Sequence, residues 1–333
     1  MKTKKIAVLG SGSWATALMK ILTENLDEVY WYVRSYTLEH LKLHQHNPKY
    51  LQQVMFDLDK IRLTNDINEV VRSADTIIIA IPSAFVKSEL DSIEEPLHNK
   101  IVFSAVKGIV PESLLILSDH LKQHHNVTEK NLGVIAGPCH AEEVAMERLS
   151  YLTIASKRKS VAKAMSSYLS TWYIKTTYSK DLFGIEWSAV LKNVYAIAAG
   201  IAHGLNYGDN FQAVLISNSV REMKKFIKKN VDKRKRNIDR SAYLGDLLVT
   251  AYSIFSRNRT FGNMIGKGYT VRSAMTEMRM IAEGYYAVKS AYKINFQKGE
   301  NKADTPIINS VYKILYKGKD PKKEFLQLSE KLT

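Results

Sequence analysis

Along the first 180 residues, strand-length apolar runs alternate with stretches whose apolar positions recur at helical spacing. Ile6-Ala7-Val8-Leu9, Val29 to Val33, Ile61 to Thr64, Asp75 to Ser83, Lys100 to Ala105 and Leu132 to Ala136 read as strands, with Tyr151 to Ala155 and Tyr173 to Thr177 as two further candidates. The stretch Thr76 to Pro82 is apolar almost throughout, as a strand covered on both faces should be. Between the strands, a helix opens directly after Gly10, and Tyr36 to His46, Asp66 to Ser73 and Ala84 to Ile93 have helical spacing. Asn65 or Asp66 supplies a cap for the third of these. From about Asp181 the strand runs stop. Phe183 to Ala202, Asn210 to Lys228, Leu244 to Phe255, Thr270 to Met275, Ala282 to Ile294 and Thr305 to Tyr316 follow as helices. The pattern predicts an α/β protein: a doubly wound sheet over residues 1–180, then an all-α C-terminal domain over 181–333.

The turn after the first strand carries recognisable chemistry. Gly10-Ser11-Gly12-Ser13-Trp14-Ala15 has the G-x-G-x-x-G/A spacing of a dinucleotide-binding turn, set between a strand and a helix. Gly10 permits a tight turn, Gly12 lets a pyrophosphate approach the backbone, and Ala15 lets the helix pack closely on the strand. The unpaired N–H groups and positive dipole end of that helix then face the phosphates. The first domain is accordingly read as Rossmann-type, binding NADP(H) or NAD(H). NAD-preferring units carry an acid at the end of the second strand, whereas this chain has Arg34-Ser35. An arginine there suits a 2′-phosphate and tilts the reading towards NADP, although a surface arginine is also common.

At 333 residues the chain exceeds what one core usually supports, which agrees with two domains. A single cysteine, Cys139, excludes a disulfide framework and a multi-cysteine zinc site and suits a reducing cytosol. The apolar runs are all far shorter than the ~20 residues of a membrane helix or a signal peptide's core, so a cytoplasmic protein without stable membrane insertion is expected. The formal charge of +15, from 48 basic and 33 acidic residues, suits anionic partners. Its densest run, Lys224 to Arg240, lacks the interleaved aromatics of a single-strand surface, and no helix-turn-helix, zinc-finger or RRM pattern occurs. No nucleic-acid partner is expected; a solvated helix end and loop is the plainer reading of this run, and a positive field drawing in phosphorylated ligands is compatible with it. The nine histidines show no metal-binding spacing, and no metal is expected.

Lys107, Gly137 and Cys139 fall just past predicted strand ends, where ligands of such sheets sit. Lys192 lies in a mostly apolar, small-residue helix. It is either a snorkelling surface lysine or a desolvated one whose lowered pKa permits proton exchange near neutrality. Asp246 and the group Ser256-Arg257-Asn258 bracket the helix Leu244 to Phe255. Ser-Arg-Asn offers a hydroxyl, a guanidinium fork and an amide, a good set for a phosphate monoester. Asp246 can orient a sugar-type hydroxyl or pair with Lys192; a loop cap and an exposed charge are the plainer readings.

Taken together, these blocks resemble the bacterial NAD(P)-dependent glycerol-3-phosphate dehydrogenases over nearly the whole chain. The matching segments are Gly10 to Leu18, Val106-Lys-Gly108, Gly137-Pro138 with Ala141-Glu142-Glu143, Lys192 to Gly200, Leu244 to Leu247, Ser256 to Gly262 and Glu283-Gly-Tyr285. The resemblance implies reversible hydride transfer between NAD(P)H and dihydroxyacetone phosphate, giving sn-glycerol 3-phosphate for glycerophospholipid synthesis. It implies Lys192 as the acid/base and Lys107 in contact with both cofactor and substrate. Asp246, Ser256, Arg257 and Asn258 would hold the substrate, with Gly137 and Cys139 lining the same site. Ser13, Trp14, Arg34, Lys107, Ala141, Arg257, Ile281 and Glu283 fall on the family's cofactor positions, beside Gly10 and Gly12. The chain departs from the family where Ala136-Gly-Pro-Cys-His140 replaces the frequent Ser-Gly-Pro-Thr-Phe, putting a weak thiol donor in place of a hydroxyl. A homodimer is compatible with the sequence, which does not specify one.

Two other readings compete. A Rossmann dehydrogenase of the 3-hydroxyacid or ketopantoate type shares a helical second domain and an active-site lysine, but has no need of the Ser256-Arg-Asn-Arg cluster. A non-catalytic NADP sensor that uses its basic surface for nucleic acid would have no need of Lys192.

Overall fold

The computed structural model describes residues 5–278 and 282–333. Contacts divide the chain into two units, one comprising residues up to Val106 with Leu115–Leu182, the other Lys107–Leu114 with Phe183–Thr333.

In the first unit the apolar runs become β1 (Ile6–Leu9), β2 (Val29–Tyr32), β3 (Ile61–Thr64), β4 (Thr76–Ile79), β5 (Ile101–Ser104), β6 (Leu132–Ala136), β7 (Ser150–Ala155) and β8 (Ile174–Ser179). They form one sheet in the order β8-β7-β6-β5-β4-β1-β2-β3. Every residue of β1, β4, β5 and β6 is buried, the signature of strands covered on both faces. Helices α1 (Ser13–Asn25), α2 (Ser35–His44), α3 (Ile67–Ser73), α4 (Ser83–Asp91), α5 (Leu117–His124), α6 (Ala141–Ala145) and α7 (Lys159–Tyr168) connect them. β1 to β6 run parallel, as a doubly wound sheet should. The last two strands depart from that pattern: β7 is antiparallel to β6, with Ile135 opposite Ile154, and β8 is parallel to β7. The reason lies in the connection. Helix α6 has five residues, about 7.5 Å of axial rise, too little to carry the chain back along a strand of ~16 Å.

The second unit is helical: α8 (Leu182–Gly204), α9 (Gly208–Asn230), α10 (Asp246–Tyr252), α11 (Arg257–Gly266), α12 (Val271–Glu277), α13 (Glu283–Phe296), α14 (Pro306–Lys317) and α15 (Pro321–Ser329). Helix α8 is buried nearly all round, and its small residues let α11 approach closely. A Cβ on Gly262 would lie 2.1 Å from the Ile197 carbonyl oxygen, and one on Gly200 would lie 2.1 Å from that of Arg259. The predicted helix Leu244 to Phe255 is two elements, a π-helical turn Ser241–Gly245 followed by α10. The residues after it, read as a bracketing motif, begin α11. No helix among the described residues is long and apolar enough to cross a membrane.

Candidate functional site

In the first unit the glycine turn follows β1 at the sheet's switch point. From β1 the chain passes outwards to β2 and β3, then returns to β4 on the other side of β1. Gly10 has φ +120°, and a Cβ there would sit 2.7 Å from the Ala80 carbonyl oxygen, so only glycine makes this turn. A Cβ on Gly12, by contrast, meets nothing within 4 Å. Gly12 is also the N-cap of α1, which has no side-chain cap and no acid in its first turn. The positive dipole end of α1 therefore suits an anion. Ser13 is buried and Trp14 half-buried at that start. Open space over a capless helix terminus fits a pyrophosphate, and with it a nicotinamide dinucleotide.

The turn is secured by Asn47, which lies just past the predicted helix Tyr36 to His46. Asn47 is 1% exposed. Its Nδ2 donates to the Ser11 carbonyl at 3.0 Å and to Thr16 Oγ1 at 2.9 Å, while its Oδ1 accepts from the backbone N–H groups of Lys49 and Tyr50. From β2, Trp31 Nε1 donates to the Gly10 carbonyl at 2.8 Å. The signal for Asn47 in the sequence is faint: an Asn before a proline in a polar loop, the usual mark of a turn.

Arg34 stands exposed at the carboxyl end of β2, with its charge already engaged. Its Nη2 donates to Glu89 Oε1 at 3.0 Å, and its guanidinium lies 5.7 Å from the ring centroid of Phe85. The Tyr32 hydroxyl donates to Glu89 Oε2 at 2.7 Å, and burial together with that carboxylate pushes Tyr32 up to about 12. Beyond β6, Gly137 has φ +126°, and a Cβ there would lie 2.6 Å from the Tyr151 carbonyl oxygen. Cys139 is buried, and Ala141 opens α6. Gly10, Arg34 and the Gly137–Ala141 segment therefore all follow carboxyl ends of strands running the same way.

The second unit holds a buried ion pair. Lys192 on α8 is 3% exposed, so the snorkelling reading does not hold. Its Nζ donates to Asp246 Oδ1, within an ion pair buried on both sides. Burial pushes the ammonium down to about 8; Asp246 opposes that shift, and the like charge of Lys107 adds to it. Asp246 is the first residue of α10, just past the π-helical turn. Ser188 on α8 donates to the Ala242 carbonyl at 2.9 Å, which ties the π-helical turn before α10 to α8, and Thr250 donates to the Asp246 carbonyl at 2.6 Å within α10. Asp246 Oδ2 is buried and has no hydrogen-bond partner among the described residues. Next to Lys192, Asn193 Nδ2 donates to the Lys107 carbonyl at 2.8 Å and ties the Lys107-Gly108 turn to α8.

Ser256 is the N-cap of α11, its Oγ accepting from the Arg259 N–H at 3.3 Å. Arg257 follows, exposed, and buried Asn258 accepts from the Gly284 N–H at 2.8 Å. A Cβ on Gly284 would lie 2.7 Å from both the Asn193 carbonyl oxygen and Asn258 Oδ1, so the starts of α11 and α13 meet the Lys192 turn of α8. Glu283 is the first residue of α13. Lys107, Lys192, Asp246, Ser256, Arg257, Asn258 and Glu283 thus belong to this unit, and Gly10, Gly12, Ser13, Trp14, Arg34, Gly137, Cys139 and Ala141 to the other. Ile281 lies outside the described residues. Among the described residues no group of three His, Cys, Asp or Glu side chains is placed to hold a metal ion.

Two family models match the chain: the NAD-dependent glycerol-3-phosphate dehydrogenase N-terminus over residues 5–162 and its C-terminus over 181–325. Curated relatives named glycerol-3-phosphate dehydrogenase (NAD(P)+) include one from Macrococcus caseolyticus, 33% identical over 324 residues and covering 95% of each chain. Another, from Bacillus subtilis, is 34% identical over 318 residues, covering 95% of this chain and 91% of the relative. Among solved structures, glycerol-3-phosphate dehydrogenase from Coxiella burnetii superposes with a TM-score of 0.89 at 25% identity, over 98% of this chain and 99% of that one. A ketopantoate reductase from Ralstonia eutropha reaches 0.60 at 13% identity, over 96% and 99%, a likeness of fold.

Proposed function

The chain belongs to the NAD-dependent glycerol-3-phosphate dehydrogenase family, and we propose that it interconverts dihydroxyacetone phosphate and sn-glycerol 3-phosphate with Lys192 as its acid/base. The observation that carries this reading is the buried Lys192–Asp246 pair, whose lysine is pushed down to about 8. An amine of that pKa is available in both protonation states near neutrality, as a reversible proton transfer needs. The hydroxyacid and ketopantoate reading is not favoured, since its structural neighbours share the fold alone.

When bound, the nicotinamide cofactor supplies the hydride for reduction of the C2 ketone and accepts it in the reverse direction. Gly10, Gly12, Ser13 and Trp14 would hold the pyrophosphate on the backbone at the start of α1. Arg34 would meet the adenosine ribose, and Lys107, Ala141, Arg257, Ile281 and Glu283 the rest of the dinucleotide. Lys192 protonates the forming C2 alkoxide in reduction and removes that proton in oxidation. Asp246 keeps the ammonium charged enough to donate, and its unpartnered Oδ2 accepts from a substrate hydroxyl. Ser256, Arg257 and Asn258 receive the phosphate, with Lys107, Gly137 and Cys139 as further substrate contacts. The product is a precursor for glycerophospholipid synthesis, and the single, buried cysteine suits work in the cytoplasm.

Oxidation of NADPH and of NADH by dihydroxyacetone phosphate, with wild type and Lys192→Ala side by side, tests the reading. Wild-type turnover and a loss of at least ~100-fold in the variant support it. Absence of wild-type turnover with either cofactor overturns the substrate, and an unaffected variant moves the proton to another group, Lys107 first.

A further inference from the structure

Glu89 lies outside the turn and helix that would hold a pyrophosphate, yet it is bound tightly to the position that reads the cofactor's ribose. It sits on α4, one turn beyond Phe85, with its side chain 16% exposed against 64% for Arg34. Both of its oxygens are used, Oε2 by the Tyr32 hydroxyl at 2.7 Å and Oε1 by Arg34 at 3.0 Å. Tyr32 and Arg34 are two residues apart on extended backbone and so reach the same side of the chain. Phe85 contributes a ring beneath the guanidinium. Helix α4 therefore clamps the arginine from two points and fixes a carboxylate beside it.

The consequence is electrostatic. A ribose 2′-phosphate carries between one and two negative charges near neutrality. Arg34 alone would attract it, but Arg34 with Glu89 has no net charge, and the incoming phosphate must also approach a fixed carboxylate. A ribose with a free 2′-hydroxyl meets no such opposition, and a carboxylate accepts a hydroxyl proton readily. We infer that Glu89 is a specificity-determining residue: by holding Arg34 in an ion pair, it restrains the preference for 2′-phosphorylated cofactor, so that NAD(H) competes with NADP(H). This inference rests on the dinucleotide reading of the first unit.

Calorimetric titration of the full chain with adenosine 2′,5′-bisphosphate and with 5′-AMP tests it without turnover. Glu89→Gln keeps an acceptor for Tyr32 and removes the charge. It should tighten the bisphosphate by about 5- to 10-fold, the scale set by breaking an exposed pair and removing a nearby like charge, and leave 5′-AMP within about 2-fold. Glu89→Ala, on a helix where alanine is favourable, should shift the ratio the same way and serves if the first variant fails to fold. In an Arg34→Ala background only the part due to the nearby like charge should remain, about 2-fold. An unchanged ratio in both Glu89 variants, or a gain as large without Arg34 as with it, overturns the proposal. Wild type that binds neither nucleotide overturns instead the dinucleotide reading on which it rests.

Discussion

Lys192 on α8 donates a hydrogen bond to Asp246 Oδ1 at the start of α10, and the second oxygen of the same buried carboxylate has no partner among the described residues. One oxygen thus sustains the lysine's charge while the other is an acceptor in search of a donor. A buried acceptor left unmade costs roughly 1–3 kcal/mol, so a substrate hydroxyl placed there is held by more than an ordinary solvent-exposed bond.

With Lys192 as the proposed acid/base, the pair predicts a pH dependence with opposite signs in the two directions. Burial, the dominant influence, pushes Lys192 down to about 8, against 10.5 for an ordinary lysine. Reduction needs the protonated amine, so its kcat should fall as pH rises through about 8; oxidation needs the neutral amine and should rise through the same region. Asp246→Asn removes the charge that opposes burial, so both limbs should move to lower pH. Reduction at neutral pH should then drop by roughly 10- to 100-fold. pH profiles of the two directions read this directly, and limbs that stay in place would show that Asp246 does not tune the lysine.

The parts of this fold that could be read in advance are those written locally. The strands announce themselves as apolar runs of the right length, and Gly10-x-Gly12-x-x-Ala15 is a spacing within one turn. The direction of β7 could not be read the same way, because it depends on a connection being too short to cross the sheet. Lys192 was visible as a lysine among small residues, but its burial follows from helices that cover α8 on every side. Asn47 and Glu89 find their partners at Ser11 and Arg34, which are 36 and 55 residues away. No local pattern marks such a pair. The grouping of Lys107–Leu114 with the helical unit is a long-range fact of the same kind, expressed in the Asn193–Lys107 bond.

Asn47 secures the glycine turn through the Ser11 carbonyl and Thr16. Asn47→Ala removes two donated bonds and leaves the N–H groups of Lys49 and Tyr50 without their acceptor. A cost of about 2–3 kcal/mol in urea unfolding is expected. The turn also loses its anchor at Ser11, so KM for the dinucleotide should rise by about 10-fold while KM for the substrate stays within about 2-fold. Equal increases in both would mean general damage to the protein instead of a loosened turn.

Two glycines provide a contrast between packing and ligand approach. In Gly262→Ala the new Cβ would meet backbone, 2.1 Å from the Ile197 carbonyl oxygen and 2.9 Å from its carbon, which no rotamer can relieve. Helices α8 and α11 must separate, at a cost of about 3 kcal/mol, and the substrate KM should rise because Ser256 and Asn258 are carried on α11. Gly12→Ala meets nothing within 4 Å and has an ordinary φ of −77°, so stability should change by less than ~0.5 kcal/mol. Dinucleotide affinity should nevertheless fall by at least about 10-fold, since the methyl group occupies the pyrophosphate's path. Denaturant melts with nucleotide titrations separate the two cases, and full affinity in Gly12→Ala would remove the turn from the binding site.

Glu222 gives the helical unit a stability that falls with pH. Its buried carboxylate accepts from the N–H groups of Ile307 and Ile308 at 2.7 and 3.0 Å, in the first turn of α14. Burial outweighs those bonds and raises the group from 4.5 to about 8. In that window the folded chain keeps a proton that the unfolded chain has released. The associated stability is therefore complete below about 4.5, declines as pH rises, and is lost above about 8. For one proton the slope reaches at most about 1.4 kcal/mol per pH unit. Glu222→Gln retains a carbonyl acceptor and has no proton to lose, so its stability relative to wild type should improve steadily from pH 5 to pH 8 in urea unfolding. A difference that stays flat across that range would mean that the helix terminus, with its two N–H donors and positive dipole end, holds the carboxylate ionised throughout, and that burial is the lesser influence at this site.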